Sequence, residues 1–210
     1  MNWSWIPAHG SEIWAYAKDS ALLGITPALL GLVISLPLGI VAARWRWFNA
    51  PVLGVVSVLY AIPSIALFFA LIPALGLTDT NVIVALTLFS LCVIFPNVVA
   101  GLHAVPDSVR QSATAMGYGA LRRLAMVELP LAVPVIIGGL RVAVVSSISL
   151  TSVSQLIGVY SLSYYLIDGY QRQFPTEIYV ALVLIIVLAV ACDLVLVGVR
   201  RVLTPWMARS

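Results

Sequence analysis

Ser146, Ser147, Ser149, Thr151, Ser152, Ser154 and Gln155 make the most polar stretch inside any long apolar run of this 210-residue chain. Hydroxyls this dense in an apolar helix either bond to the preceding turn and let helices approach, or line a path for a polar solute. Ser147, Thr151, Ser154 and Gly158 share one helical face at spacings of four, three and four. Packing and lining both fit that face. Arg141 and Asp193 are the charges set deepest in apolar surroundings, each roughly 10–12 Å from one end of its run at 1.5 Å rise per residue. They either pair across neighbouring helices, or Arg141 reaches for headgroups while Asp193 faces a partner or water. Covalent chemistry is not indicated: there is no Gly-x-x-x-x-Gly-Lys-Ser/Thr phosphate loop and no grouping of nucleophile, base and acid. Cys92 and Cys192 lie in apolar runs, where a thiol behaves as a small hydrophobe. They suggest neither a disulfide framework nor a metal cluster, and no cofactor is expected.

A second polar island, QSATAMGYGALRRLAMVELP, occupies Gln111 to Pro130. Pro106 can open a helix, with Asp107 in its first turn, where a negative charge suits the helix dipole. Val109, Ala113 and Met116 make an apolar stripe; Gly117-Tyr118-Gly119 interrupts it; Leu121, Leu124, Ala125 and Leu129 resume it until Pro130. The pattern predicts two short amphipathic helices joined at the glycines. Such a hairpin serves either as a segment parked at a membrane interface or as a docking knob for another protein.

The elements that must position these groups are membrane helices. The chain is 62% hydrophobic and 9% charged, against roughly 25% charged in soluble domains. The runs Leu22–Ala43, Val52–Leu75, Val82–Leu102, Val133–Ile157 and Ile178–Val199 each reach the ~20 residues that cross a bilayer as helix. Five spanning helices and an all-α membrane protein are therefore expected, because lipid offers the backbone no other hydrogen-bond partner. Pro27, Pro37, Pro63, Pro73, Pro96 and Pro134, with Gly31, Gly39, Gly138 and Gly139, mark kinks or close helix contacts within the runs. Met1–Ser20 has no basic start and the first run is too long for a signal core, so the first helix is expected to remain.

Arg44, Arg46, Arg110, Arg122, Arg123, Arg200, Arg201 and Arg209 fall on one side of this topology, and Lys18 and Arg172 on the other. Cytoplasmic loops hold the excess of basic residues. The N-terminus is thus expected outside and the C-terminus inside, with Glu12, Asp19, Asp79, Asp168 and Glu177 on the outer side. The organisation that follows is an extracytoplasmic segment 1–19, a transmembrane domain 20–200 containing a cytoplasmic loop 103–132, and a cytoplasmic tail 201–210. Trp3, Trp5, Trp14, Trp45, Trp47 and Trp206 all lie near span ends, as an interfacial belt requires. The net charge of +3 reflects this topology and gives no case for nucleic acid.

The island at 111–130 resembles the EAA loop of ABC importer permeases. Gln111-Ser112-Ala113 stands at the Glu-Ala-Ala position, Gly117 at the glycine, and Val127 with Leu129-Pro130 closes the motif. Ile62-Pro63-Ser64-Ile65-Ala66-Leu67, Leu71-Ile72-Pro73, Leu75-Gly76, Val127-Glu128-Leu129-Pro130-Leu131-Ala132, Pro134 and Gly139-Leu140-Arg141 resemble permeases for glycine betaine, choline and carnitine. The similarity covers most of residues 20–200.

The resemblance implies the MetI-like permease fold of a type I importer: two permease subunits, a cytoplasmic ABC ATPase dimer and an extracytoplasmic substrate-binding protein, set in membrane lipid of a prokaryotic plasma membrane. Catalysis then belongs to the partner. Gln111, Ser112, Ala113, Gly117, Tyr118, Gly119, Leu129 and Pro130 become the ATPase-coupling residues, Gly117 permitting a close backbone approach. Pro63 and Ser64 join Ser147, Thr151, Ser154 and Gln155 as candidate lining of the path. Two departures from the family pattern stand out. The family acid is Gln111 here, which replaces an ion pair by a neutral hydrogen bond about half as strong, and Gly158-Val159-Tyr160-Ser161 replaces a glycine-rich stretch. Tyr160, Tyr164, Tyr165 and Tyr170 on the outer side could meet a quaternary ammonium, but outer-interface tyrosines are usual. The competing classes are a permease of the same class for amino acids or another small solute, a secondary carrier and a scaffold.

Overall fold

The computed structural model describes residues 4–206. Trp3 of the aromatic belt, Arg209 of the basic cluster and the extreme ends of segments 1–19 and 201–210 lie outside those residues. The described chain is helical: α1 Trp5–Ala8, α2 Gly10–Arg44, α3 Arg46–Ala61, α4 Ser64–Leu75, α5 Asp79–His103, α6 Asp107–Ala115, α7 Ala120–Arg123, a π segment Leu124–Glu128, α8 Leu129–Leu150, a 3-10 segment Thr151–Ile157, α9 Ser163–Gln171 and α10 Pro175–Leu203.

Four spans are continuous: Gly10–Arg44, Asp79–His103, Ala120–Ile157 and Pro175–Leu203. The remaining expected span, the second along the chain, Val52–Leu75, is instead a broken pair, α3 and α4, bent by 99° at Ile62-Pro63. Pro63 lacks the amide that would continue the ladder and forces its predecessor out of the α region, and Ile62 has extended dihedrals (φ −73°, ψ 125°). The other candidate kink sites, Pro27, Pro37, Pro73, Pro96 and Pro134, lie inside helices that run on.

Helix α5 is the centre of the bundle. Val82, Ala85, Leu86, Ile94, Phe95 and Val98 are buried along it, packed by α2 and α8. The buried face of α2 is built from small residues, Gly24, Ala28, Gly31, Ser35, Gly39 and Ala42, which lets backbones approach closely. A Cβ on Gly39 would stand 2.5 Å from Val98 Cγ1, and one on Gly31 would stand 2.7 Å from Ser90 Cβ. Helix α10 is outermost: Leu182, Val183, Ile186, Val187, Val190, Leu194 and Val195 are all exposed. An apolar surface of that extent belongs against lipid or another subunit.

Two expectations about the polar segments need correction. The helix after the glycines does not end at Pro130: α7 continues through the π segment into α8, so hairpin and fourth span share one uninterrupted rod. Pro130 would clash with the carbonyl four residues before it, Met126. Met126 lies inside the widened π turn, where the proline is accommodated. The α-helical part of the fourth span also stops at Leu150, seven residues short of the expected Ile157, and tightens into the 3-10 segment. Ser147, Thr151 and Ser154 are nonetheless all buried, while Gly158 beyond them is exposed.

Candidate functional site

At the bundle end where α2 and α5 finish and α8 begins, α6 and α7 form the helical hairpin. Tyr118 N donates to Ala113 O (3.1 Å) and Gly117 N to Thr114 O (2.9 Å), a Schellman arrangement that needs a left-handed residue next to the cap. Gly117 supplies it with φ +83°, and the space where its Cβ would stand is open. Within this chain its requirement is conformational. Gln111, Ser112 and Gly119 are exposed, Tyr118, Leu129 and Pro130 are half-buried, and Ala113 is buried. The Arg122 guanidinium lies 4.6 Å from the Tyr118 ring centroid. Met116, Leu121 and Met126 are largely exposed, at 69%, 83% and 65%. The hairpin thus turns apolar side chains away from its own bundle. Beside them an open depression of about 340 Å³ is lined by Asp107, Arg110, Gln111, Thr114, Ala115 and Arg123.

Beneath the hairpin lies a charged network that sequence reasoning did not identify. Arg123 Nε donates to Glu128 Oε1 (2.8 Å) and its Nη1 to Thr114 Oγ1 (2.8 Å). Arg44 Nη2, from the end of α2, stands 3.7 Å from the same Glu128 oxygen. Arg110 Nη2 donates to Leu102 O (2.6 Å) at the end of α5. The available signal was Glu128 as a solitary acid amid arginines, but residues five apart do not face each other on an ordinary helix.

Mid-bundle, the bend at Pro63 opens a cleft of about 540 Å³ between the α3–α4 corner, α5 and α8. Pro63, Ser64 and Ser147 meet on it, together with Tyr60, Phe89, Ser90, Ser146 and Ser149. Ser90 and Ser147 are hydrogen-bonded through their hydroxyls at 3.2 Å. Thr151 and Ser154 are placed inside the protein. Thr151 Oγ1 donates to Ile148 O (2.7 Å), and Ser154 Oγ lies within bonding distance of Thr151 O (2.9 Å) and Val159 O (3.2 Å). These bonds seat the 3-10 segment and the left-handed turn at Gly158, φ +78°. Gln155 is half-buried, and its Oε1 has no hydrogen-bond partner among the described residues. Ser90, Tyr60 and Phe89 had no sequence signal, because their role depends on helices that meet only in three dimensions.

Arg141 and Asp193 stand at the cleft's flank, in a shallower hollow that shares Val142, Val145 and Ser146 with it. The guanidinium donates from Nε to Oδ1 and from Nη2 to Oδ2, both at 2.7 Å.

At the opposite end of the bundle, Tyr16, Tyr160, Tyr164 and Tyr165 pack on one another with ring centroids 5.3 to 6.4 Å apart. Burial pushes the Tyr165 hydroxyl well above the usual tyrosine range. Asp168 is paired with Arg172 at 2.8 Å.

Residues 35–209 match the family model of the binding-protein-dependent transport system inner membrane component. The chain is 34% identical over 181 residues to the osmoprotectant import permease protein OsmW of Salmonella typhimurium, covering 84% of each chain. It is 34% identical over 185 residues to the glycine betaine/carnitine/choline transport system permease protein OpuCD of Bacillus subtilis, covering 88% of this chain and 81% of that one. A structure of the inward-facing MetNI methionine ABC transporter superposes with a TM-score of 0.78 at 21% identity, over 91% of this chain and 96% of the other, which speaks to the fold. The secondary-carrier and scaffold alternatives are thereby set aside. A bundle with a broken second span, a glycine-turned hairpin at one end and this breadth of sequence match belongs to the family of binding-protein-dependent transport system inner membrane components, the permease subunits of ABC importers.

Proposed function

We propose that this permease imports quaternary ammonium osmoprotectants, namely glycine betaine, choline, carnitine or proline betaine. The carrying observation is the 34% identity, across more than four-fifths of the chain, to permeases whose names specify osmoprotectant import and glycine betaine, carnitine and choline transport. The chain is the transport subunit in the bacterial inner membrane, working with a separate ATPase and a substrate-binding protein. It hydrolyses nothing itself.

In this reading the hairpin end is cytoplasmic, as the collection of Arg44, Arg110, Arg122, Arg123, Arg200 and Arg201 there favours. Met116 and Leu121 enter an ATPase cleft around Gly117, since exposed apolar side chains on a polar hairpin call for a partner. The cleft at Pro63, Ser64 and Ser147 forms half of the path, and a second permease, identical or not, closes the other half. Thr151, Ser154 and Gln155 hold the turn beneath it.

The test is ATP-dependent uptake into proteoliposomes containing permease, ATPase and binding protein, with radiolabelled betaine, choline, carnitine, proline betaine and an ordinary amino acid compared. Calorimetry on the binding protein across the same solutes is the companion measurement. Uptake of the amino acid alone would overturn the osmoprotectant assignment and leave the permease assignment standing.

A further inference from the structure

Helix α6 is poorly anchored by apolar packing. Ala113 is its only buried residue, and the hairpin's larger apolar side chains, Met116, Leu121 and Met126, point away from the bundle. What ties α6 to the spans is polar. Arg123 grips Thr114 of α6 with one nitrogen and Glu128 with another. Glu128 is 4% exposed and lies at the threshold of the fourth span. Arg44 approaches the same carboxylate oxygen from the last residue of the first span. Helices α2 and α7 therefore meet on the Glu128 side chain, and α6 is joined to it through Arg123.

The π segment makes this possible. In a regular helix, residues five apart lie about 140° apart around the axis and cannot share a bond. A turn of the i to i+5 type brings such residues nearly above one another, and the Arg123–Glu128 bond spans five residues. The ion pair is thus built into the widened register of the helix that joins the hairpin to the fourth span.

We propose that Glu128 and Arg123 are positioning residues for transport: a clasp, anchored on Thr114 and Arg44, through which displacement of the hairpin reaches the first and fourth spans. The proposal rests on the reading that the ATPase seats on this hairpin. A buried charge pair kept only for stability would predict loss of folded protein and nothing more. A clasp predicts that the ATPase still docks while its movements stop reaching the cleft.

The experiment uses the assembled permease and ATPase in proteoliposomes, with Cys92→Ala and Cys192→Ser in the background and Ser64→Cys as a reporter in the cleft. The rate at which a polar thiol reagent modifies position 64 is measured with and without trapping of the ATPase by ATP and vanadate. In the parent, trapping should change that rate by about tenfold, within the usual range of coupling between sites. Glu128→Gln should bring the ratio to within about twofold of unity while copurifying ATPase stays at the parent level. Thr114→Val, at an exposed position with little folding risk, should give an intermediate ratio. Exchanging the pair, Arg123→Glu with Glu128→Arg, should restore part of the response, because Arg44 then faces a like charge. An unaltered ratio in both Glu128→Gln and Thr114→Val overturns the clasp. So does loss of ATPase from correctly folded Glu128→Gln, which would assign the pair to docking. Failure of the docking reading shows separately, as full ATPase retention by Gly117→Asp.

Discussion

Arg141 and Asp193 meet fork to fork, with two parallel hydrogen bonds of 2.7 Å joining α8 to α10. Their side chains are 29% and 28% exposed, in a hollow lined also by Gly138, Val142, Val145 and Ser146. Bidentate geometry of this kind is the strong form of the guanidinium–carboxylate contact, and it secures the outermost helix of the bundle. Arg141→Ala and Asp193→Ala should each lower the unfolding midpoint in detergent. The cost should lie between the ~1 kcal/mol of an exposed pair and the ~3–5 kcal/mol of a buried one. Arg141→Asp combined with Asp193→Arg should recover part of the loss. Strictly additive losses in the exchanged protein would show that the contact contributes nothing.

Gly117→Asp should leave insertion and folding intact while ATPase copurification and ATP-dependent uptake fall. The position has φ +83°, so a side chain costs about 1–2 kcal/mol locally. The space above it is open in this chain, and the new carboxylate would occupy whatever a partner brings there. Uptake at the parent rate would contradict the docking role of the turn.

Gln111→Glu restores the acid that the related pattern carries. Gln111 is exposed on the rim of the depression that includes Arg110 and Arg123, so folding should not register the change. ATPase association, measured by titration of detergent-solubilised permease, should be equal or tighter. Weakened association would mean that the facing ATPase surface is matched to an amide.

Gly39→Val tests the approach of α2 to α5. Its Cβ would fall 2.5 Å from Val98 Cγ1, closer than any real contact, and the helices would have to separate. Overpacking of this kind typically costs about 1–3 kcal/mol. A lowered unfolding midpoint is expected, with uptake reduced in proportion to folded protein. Gly54→Val, where a Cβ meets nothing within 4 Å, is the matched control and should be silent.

The spans were legible because lipid removes every alternative to helix, so length and apolarity suffice. The glycine turn at Gly117 was legible for a similar reason: an amphipathic run followed by glycine has a specific capping geometry to adopt. The break at Pro63 was not. Five other prolines flagged with it sit inside helices that continue, and proline alone does not say which site the neighbours will support. Ser147, Thr151 and Ser154 share a face by sequence spacing and are all buried, but spacing alone does not separate packing from lining. What spacing does not show is the tightening to three residues per turn at Thr151, where the Thr151 and Ser154 hydroxyls bond to nearby carbonyls. Arg123 and Glu128 escaped notice for the opposite reason, since a widened turn brings together residues that ordinary spacing keeps apart.

The corner between α3 and α4 also determines how wet the protein is. A helix that stops and restarts leaves carbonyls at one end and amides at the other without partners in the ladder. Hydrocarbon cannot satisfy them. The amides of Ser64, Ile65 and Ala66 open α4 beside the cleft, and the carbonyls of Tyr60 and Ala61 close α3 there. With Ser90, Ser146, Ser147 and Ser149 on the facing walls, the cleft offers polar partners to water. If solute takes the proposed path, this lining lets it exchange its hydration in small steps. Arg141 and Asp193 at the flank are partly exposed too, in a hollow that Ser146 joins to the same polar cleft.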